Sequence, residues 1–220
     1  MTAPELLAAL RAHANPANVA GMARYGINPE GTLGVTIPVI RGLAKKAGRS
    51  HELAALLWES RVHEARILAA LVEEPARVTR RQMDRWARDL DSWDVCDQVC
   101  SNLFRHTPFA FEKAAEWARA KPEFVRRAGF SLMAGLVVKA KDAPDSRFEA
   151  FFPLIAEAAT DERNMVRKAV NWALRSIGKR NRRLRKLAMA KAGEIRKIDS
   201  KDARWIASDA LRELGSRQAL

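Results

Sequence analysis

Trp93, Asp94 and Asp97 set two carboxylates beside an indole within five residues of a 220-residue chain whose formal net charge is +13. Held close together, a carboxylate and an indole face can both steady developing positive charge. The spacing predicts a helix over 92–104 in which Trp93, Asp97, Cys100 and Phe104 fall on one face at i, i+4, i+7 and i+11. Asp97 then interrupts an apolar stripe. Asp91 and Asp94 belong at the helix start, where free N–H groups and the macrodipole favour acids. That explanation covers Asp97 poorly, because it lies beyond the first turn.

A second cluster surrounds Trp172. Steps of three and four from it reach Met165, Lys168, Arg175 and Ser176, while Val166, Ala169, Val170, Ala173, Leu174 and Ile177 form the opposite, apolar stripe. Two readings stand side by side: a half-exposed core tryptophan, or an aromatic on a cationic face suited to stacking against nucleotides or sugars. In Arg126-Arg127, at least one arginine must point away from the stripe of Val125, Ala128, Leu132 and Leu136. A solvated arginine is the ordinary outcome; near a carboxylate and tryptophans it would bind phosphate. Lys179-Arg180-Asn181-Arg182-Arg183-Leu184-Arg185-Lys186 holds six cations in eight positions and is either a solvated helix start or a source of phosphate contacts. Trp58, Trp86 and Trp117 sit among apolar neighbours and read as core, whereas the burial of Trp205 is open.

The elements that must position these groups are helical. Apolar residues recur at i, i+3, i+4 and i+7, and no sustained alternation predicts a strand. Asn15-Pro16, Asn28-Pro29-Glu30-Gly31, Gly48-Arg49-Ser50, Asp91-Ser92, Thr107-Pro108, Thr160-Asp161 and Gly178 read as caps, first-turn prolines or terminal glycines. They divide the chain into about a dozen helices with short connections and no Ser/Gly-rich linker, so residues 1–220 read as a single domain.

The segments also repeat. Val166 to Gly178 aligns without gaps on Ala203 to Gly215, an offset of 37 residues, and both copies carry Ala-Leu-Arg-x-x-Gly. Val125 to Leu132 lies 41 residues before the first of these, and His63 to Ala69 is a weaker relative. Periods near 40 in helical sequence predict HEAT-type repeats. The expected fold is an all-α solenoid, a curved right-handed superhelix of antiparallel helix pairs with a concave basic face.

Composition narrows the partners. Lys and Arg number 39 against 26 acids, a balance that favours phosphate backbones or anionic surfaces. No apolar run approaches the roughly 20 residues that span a bilayer, and the N-terminus lacks a signal-peptide pattern, so no membrane association and a cytoplasmic location are expected. Cys96 and Cys100 lack clustered histidines, so reduced core thiols are expected and a metal site is not.

Met22-Ala23-Arg24-Tyr25 with Leu33-Gly34-Val35-x-x-Pro38, then Ser92-Trp93-Asp94-x-x-Asp97, Val125-Arg126-Arg127-Ala128 and Lys168-Ala169-Val170-Asn171-Trp172-Ala173-Leu174-Arg175 together resemble the AlkD-type DNA alkylation repair glycosylases, built of HEAT-like repeats. The resemblance covers almost the whole chain and departs in loop lengths, notably through Lys141 to Arg147. It implies that Asp97 is the catalytic carboxylate, that Trp93 and Trp172 line the cleft around the lesion's deoxyribose, and that Arg127 holds a backbone phosphate with Tyr25 nearby. It also implies double-stranded DNA carrying cationic N3- or N7-alkylated purines as substrate, without flipping of the lesion into a deep pocket.

Such a base is already a good leaving group, so one carboxylate that stabilises an oxocarbenium-like sugar and orients water suffices, with no cofactor and no metal. The expected DNA contacts are Tyr25, Arg126, Lys168, Arg175, Lys179, Arg180, Arg182 and Arg183, in a monomer. The competing reading is a non-catalytic HEAT-repeat module that binds nucleic acid or an acidic protein.

Overall fold

The computed structural model describes residues 1–216, which are helical with no strand. The chain forms two compact units, one spanning Met1–Thr107 and the other beginning at Pro108. No helix among the described residues is long and apolar enough to cross a membrane.

The first unit contains α1 (Ala3–Ala12), α2 (Pro16–Arg24), α3 (Ile37–Ala47), α4 (His51–Glu59), α5 (His63–Val72), α6 (Arg80–Arg88) and α7 (Trp93–Asn102), followed by a 3-10 turn over Phe104–His106. Local chemistry sets many of the starts. Thr2 and Glu5 close a capping box on α1, the Asn15 side chain accepts the Ala17 and Asn18 amides ahead of Pro16, and Ser50 and Thr79 cap α4 and α6. Gly48 ends α3 at φ 75°, a left-handed conformation that glycine adopts without strain.

Helix α5 is the centre of this unit. It packs against α3, α4 and α7, and every one of its residues except Leu71 is buried. Trp58 and Trp86 stack face to face at 4.0 Å beside it, and the Trp58 indole donates to Asp89 at 2.8 Å. Both tryptophans are core residues, as their apolar neighbours predict. Cys96 and Cys100 are buried and not disulfide-bonded.

The second unit contains α8 (Ala110–Trp117), α9 (Glu123–Lys139), α10 (Asp145–Glu149), α11 (Phe152–Glu157), α12 (Asn164–Gly178), α13 (Arg182–Ile195) and α14 (Lys201–Gly215). Here α12 packs against both α9 and α14, while α8 pairs with α9 and α13 with α14. The stretches that repeat in sequence lie in α5, α9, α12 and α14, the most deeply packed helix of each layer. This is the HEAT-like arrangement, in which an apolar stripe is buried only against its neighbours. Polar links between α12 and α14 keep a near-constant register: Asn171 donates to Asp209 at 2.7 Å, and Arg175 reaches Glu213. The two helices therefore run side by side in the same direction.

Several boundaries differ from the sequence expectation: no helix starts or ends at Asn28-Pro29-Glu30-Gly31, and α8 begins at Ala110, past Thr107-Pro108. Helix α7 ends at Asn102, not 104, because Leu103 leaves helical geometry at φ −125°, ψ −67° and the chain tightens into the 3-10 turn. Thr160-Asp161 caps nothing: α12 begins at Asn164, and the Asp161 carboxylate instead takes Arg126 at 2.9 Å and Arg163 at 2.6 Å. Gly178 is not a left-handed terminal residue but the last helical residue of α12. A Cβ there would lie 2.6 Å from Leu214 Cδ1 and 3.0 Å from Ala188 Cβ, so glycine permits close approach of α13 and α14.

Its counterpart Gly215 faces open space. Gly178→Val should therefore destabilise the protein by about 2 kcal/mol through overpacking, while Gly215→Ala should be neutral or slightly stabilising; urea unfolding of both variants checks this.

Candidate active site

In the first unit the site is assembled around the start of α7. Ser92 is buried and its hydroxyl accepts the Asn28 amide at 3.3 Å, while Asp91 accepts the Asn28 side chain at 3.1 Å. The Trp93 indole N–H donates to the Tyr25 carbonyl at 3.0 Å, fastening the ring to the end of α2. Trp93 and Asp97 are both half-buried, one turn apart, whereas Val95, Cys96, Val99 and Cys100 are buried. The predicted stripe is thus graded: its N-terminal end reaches solvent and its far end, at Cys100 and Phe104, enters the core. Tyr25 is 75% exposed.

A cavity of about 560 Å³ opens beside Trp93, walled by Met22, Tyr25, Val35 and Ile67. Two adjacent residues of α5 form its polar floor. Glu64, 1% exposed, accepts the backbone amides of Leu33, Gly34 and Val35 at 2.9, 2.6 and 3.2 Å. Gly34 sits at φ +78°, and a Cβ there would lie 2.3 Å from the Asn15 carbonyl oxygen, so only glycine fits. The Leu33-Gly34-Val35 motif is a loop clasped by a buried carboxylate.

His63, also buried, bonds through Nε2 to Asp94 Oδ2 at 2.8 Å. Burial opposes protonation of this imidazole, but the Asp94 hydrogen bond and charge, helped by Glu64 and Asp91, overcome it and raise its pKa. Asp94 does more than complement a helix dipole: it ties α7 to α5. His63 and Glu64 were not singled out by sequence spacing, although charged and polar residues gathered in the first turn of a helix that continues apolar are a visible signal.

The second unit holds the other residues. Arg127 is 5% exposed and its Nη1 donates to the Met165 carbonyl at 2.6 Å, joining α9 to the first turn of α12. Arg126 is also engaged, donating to the Ala118 carbonyl at 3.0 Å and to Asp161. Trp172 is half-buried and lines a cavity of about 870 Å³ with Val138, Lys141 and Lys179.

The cations around it have divided tasks. Arg175 and Lys179 converge on Glu213, and the Lys179 hydrogen bond, followed by the Arg175 charge and working against burial, holds that carboxyl below its usual pKa. Arg180 donates to the carbonyls of Val137, Ala140, Lys141 and Ala143 at 2.7 to 3.1 Å, satisfying the end of α9 and the loop after it. Arg183 pairs with Glu149 at 2.8 Å. Lys168 and Arg182 are exposed.

Of the expected DNA contacts, then, Arg126, Arg175, Lys179, Arg180 and Arg183 have intramolecular partners, while Tyr25, Lys168 and Arg182 present exposed side chains. Trp93, Asp97 and Tyr25 belong to the first unit, and Arg127 and Trp172 to the second.

Because the folded-state pKa of His63 is raised above its ordinary 6.5, the stabilisation from its Asp94 bond is complete below about pH 6.5 and is lost as pH rises through the elevated value. Denaturant unfolding at pH 6 and pH 9 should show a loss of stability at high pH that is reduced in His63→Gln; an identical loss in the variant would contradict this.

Residues 6–214 match the family described as DNA alkylation repair enzyme. No curated protein matches the chain. Among solved structures, a protein described as one of a family related to the HEAT-like repeat DNA glycosylases, with affinity for branched DNA structures, superposes with a TM-score of 0.80 at 18% identity, covering 96% of this chain and 95% of that one. An engineered protein reaches a TM-score of 0.41 at 15% identity over 80% of this chain and 90% of its own. A designed armadillo repeat protein reaches 0.36 at 12% identity, over 80% and 92%. The first of these similarities shows a HEAT-like fold, and the match over residues 6–214 shows that the chain belongs to the DNA alkylation repair enzyme family.

Proposed function

We propose that this protein is a DNA glycosylase that hydrolyses the N-glycosidic bond of cationic N3- or N7-alkylated purines in double-stranded DNA. The observation that carries this reading is the pairing of Trp93 and Asp97 on the solvent-reaching end of α7, with the indole fixed by the Tyr25 carbonyl. A fixed aromatic face and a carboxylate one turn away suit a reaction in which a sugar becomes cationic.

Alkylation at N3 or N7 already gives the purine a positive charge, so the C1′–N bond breaks with its electron pair leaving on the base. Asp97 stabilises the oxocarbenium-like sugar and orients water, whose oxygen adds to C1′ and whose proton is released. The products are the free alkylated base and an abasic site. On the family resemblance alone, Trp172 and Arg127 are proposed as DNA contacts of the second unit. Lys168 and Arg182 are proposed as further phosphate contacts because their side chains are exposed. The protein is proposed to act as a cytoplasmic monomer without a cofactor.

Asp97→Asn should lower release of 7-methylguanine from methylated duplex DNA by about 100- to 1,000-fold while leaving affinity for the duplex nearly unchanged. Free-base release measured beside an equilibrium binding titration tests it. Undiminished release would remove Asp97 from the mechanism, and absence of release from the unaltered protein would favour a binder, as suggested by the structural relative with affinity for branched DNA. For Lys168→Ala, the slope of log K against log salt should fall by about one, the signature of one lost phosphate contact. An unaltered slope would place Lys168 away from DNA.

A further inference from the structure

Trp205 remains 41% exposed on α14, and neither the core nor the proposed excision chemistry uses it. Its ring is nevertheless held. The Arg167 guanidinium carbon lies 4.8 Å from the ring centroid. That guanidinium is fixed in turn, with Nη1 donating to Asp202 at 2.5 Å and Nη2 to Asn164 at 3.1 Å. Asp202 is 1% exposed, so a buried carboxylate anchors the cation that covers one side of the indole. The exposed area consequently falls on the other face and the edge.

The surroundings of the ring carry exposed cations, and the two acids one turn away, Asp202 and Asp209, are already paired with arginines. Helices α12 and α14 lie side by side, and the 37-residue repeat places Trp205 where Lys168 stands one repeat earlier. Lys201 precedes Trp205 by one turn on the same face of α14. Both lysines are exposed, and neither forms an ion pair among the described residues. Arg204, next to Trp205, is exposed and, among the described residues, paired with the fully exposed Asp199 at 3.0 Å.

A rigid, open indole among cations complements a flat π system joined to negative charge, which is a nucleobase with its flanking phosphates. Inside a duplex both faces of each base are covered by neighbouring base pairs. Apart from the outer face of an end pair, only an unpaired, unstacked base can reach such a ring. We infer that Trp205 is a stacking site for an unpaired nucleobase, with Lys168 and Lys201 holding the adjacent phosphates, so that the protein prefers DNA with a single-stranded stretch over a blunt duplex. This goes beyond the excision reading and shares only Lys168 with it.

The test is a fluorescence-anisotropy titration of a blunt duplex and of the same duplex carrying a single-stranded overhang. The unaltered protein should bind the overhang DNA more tightly. Trp205→Ala should weaken that binding about ten-fold and change blunt-duplex binding by less than about two-fold, while Trp205→Phe retains most of the preference. Lys201→Ala should lower the salt slope by about one on overhang DNA only. Equal affinities of the unaltered protein for the two DNAs, no loss in Trp205→Ala, or an equal loss on both DNAs would overturn the inference. Excision from methylated duplex should be the same in Trp205→Ala as in the unaltered protein, so failure here and failure of the glycosylase reading give different results.

Discussion

Two neighbouring side chains at the start of α5, His63 and Glu64, hold the Leu33–Val35 loop and the helix that carries Trp93. Both are buried, and each reaches a different element: Glu64 collects three consecutive amides of the Leu33–Val35 loop, and His63 holds Asp94 on α7. A buried carboxylate is costly unless its lone pairs are filled, and three N–H donors fill them. The loop returns the favour by closing around a glycine that no other residue could replace. Trp93 is therefore set from two directions, through Asp94 on its own helix and through the Tyr25 carbonyl on the neighbouring one. A half-exposed aromatic held this way does not lose orientation when a ligand arrives, which is the condition for favouring a transition state over a substrate.

The second unit depends on arginine in a comparable way. A formal net charge of +13 suggests a surface made of cations, yet many of the arginines are turned toward the protein itself. Arg180 closes the end of α9, Arg127 joins α9 to α12, and Arg126 and Arg163 share Asp161. Arg185 donates to the Leu214 carbonyl at 2.6 Å. Short connections between stacked helices leave carbonyls without intrahelical partners, and the five donors of a guanidinium can satisfy several at once. Arginine therefore fastens the repeats, while Lys168, Lys201 and Arg182 are among the cations that face solvent. Charge counting measures the sum of these two uses and overstates the surface available to a polyanion.

Much of the scaffold was legible before any coordinates. Helical periodicity, the capping signals at Asn15 and Ser50, and the sorting of Trp58, Trp86 and Trp117 into the core all agree with the structure. These features depend on contacts within a few residues or on a continuous apolar stripe, and both leave a local trace. The errors share an opposite origin. Asp161 was free to cap a helix until Arg126, 35 residues earlier, claimed it together with the neighbouring Arg163. Gly178 resembled a helix terminator because its real constraint, Leu214 pressing from another helix, is 36 residues away.

The candidate site divides along the same line. Chain order alone was enough to put Trp93 and Asp97 on one side of a helix and to make α5, α9, α12 and α14 members of one repeating series, since 3.6-residue geometry and a period near 40 are written into the spacing of residue types. Burial of Arg127 against Met165, the His63–Asp94 bond, the clasp of Glu64 and the open face of Trp205 are written nowhere locally. Each arises when helices distant in sequence come within hydrogen-bonding or van der Waals range, and whether a polar group ends in water or against a partner is settled only by that packing.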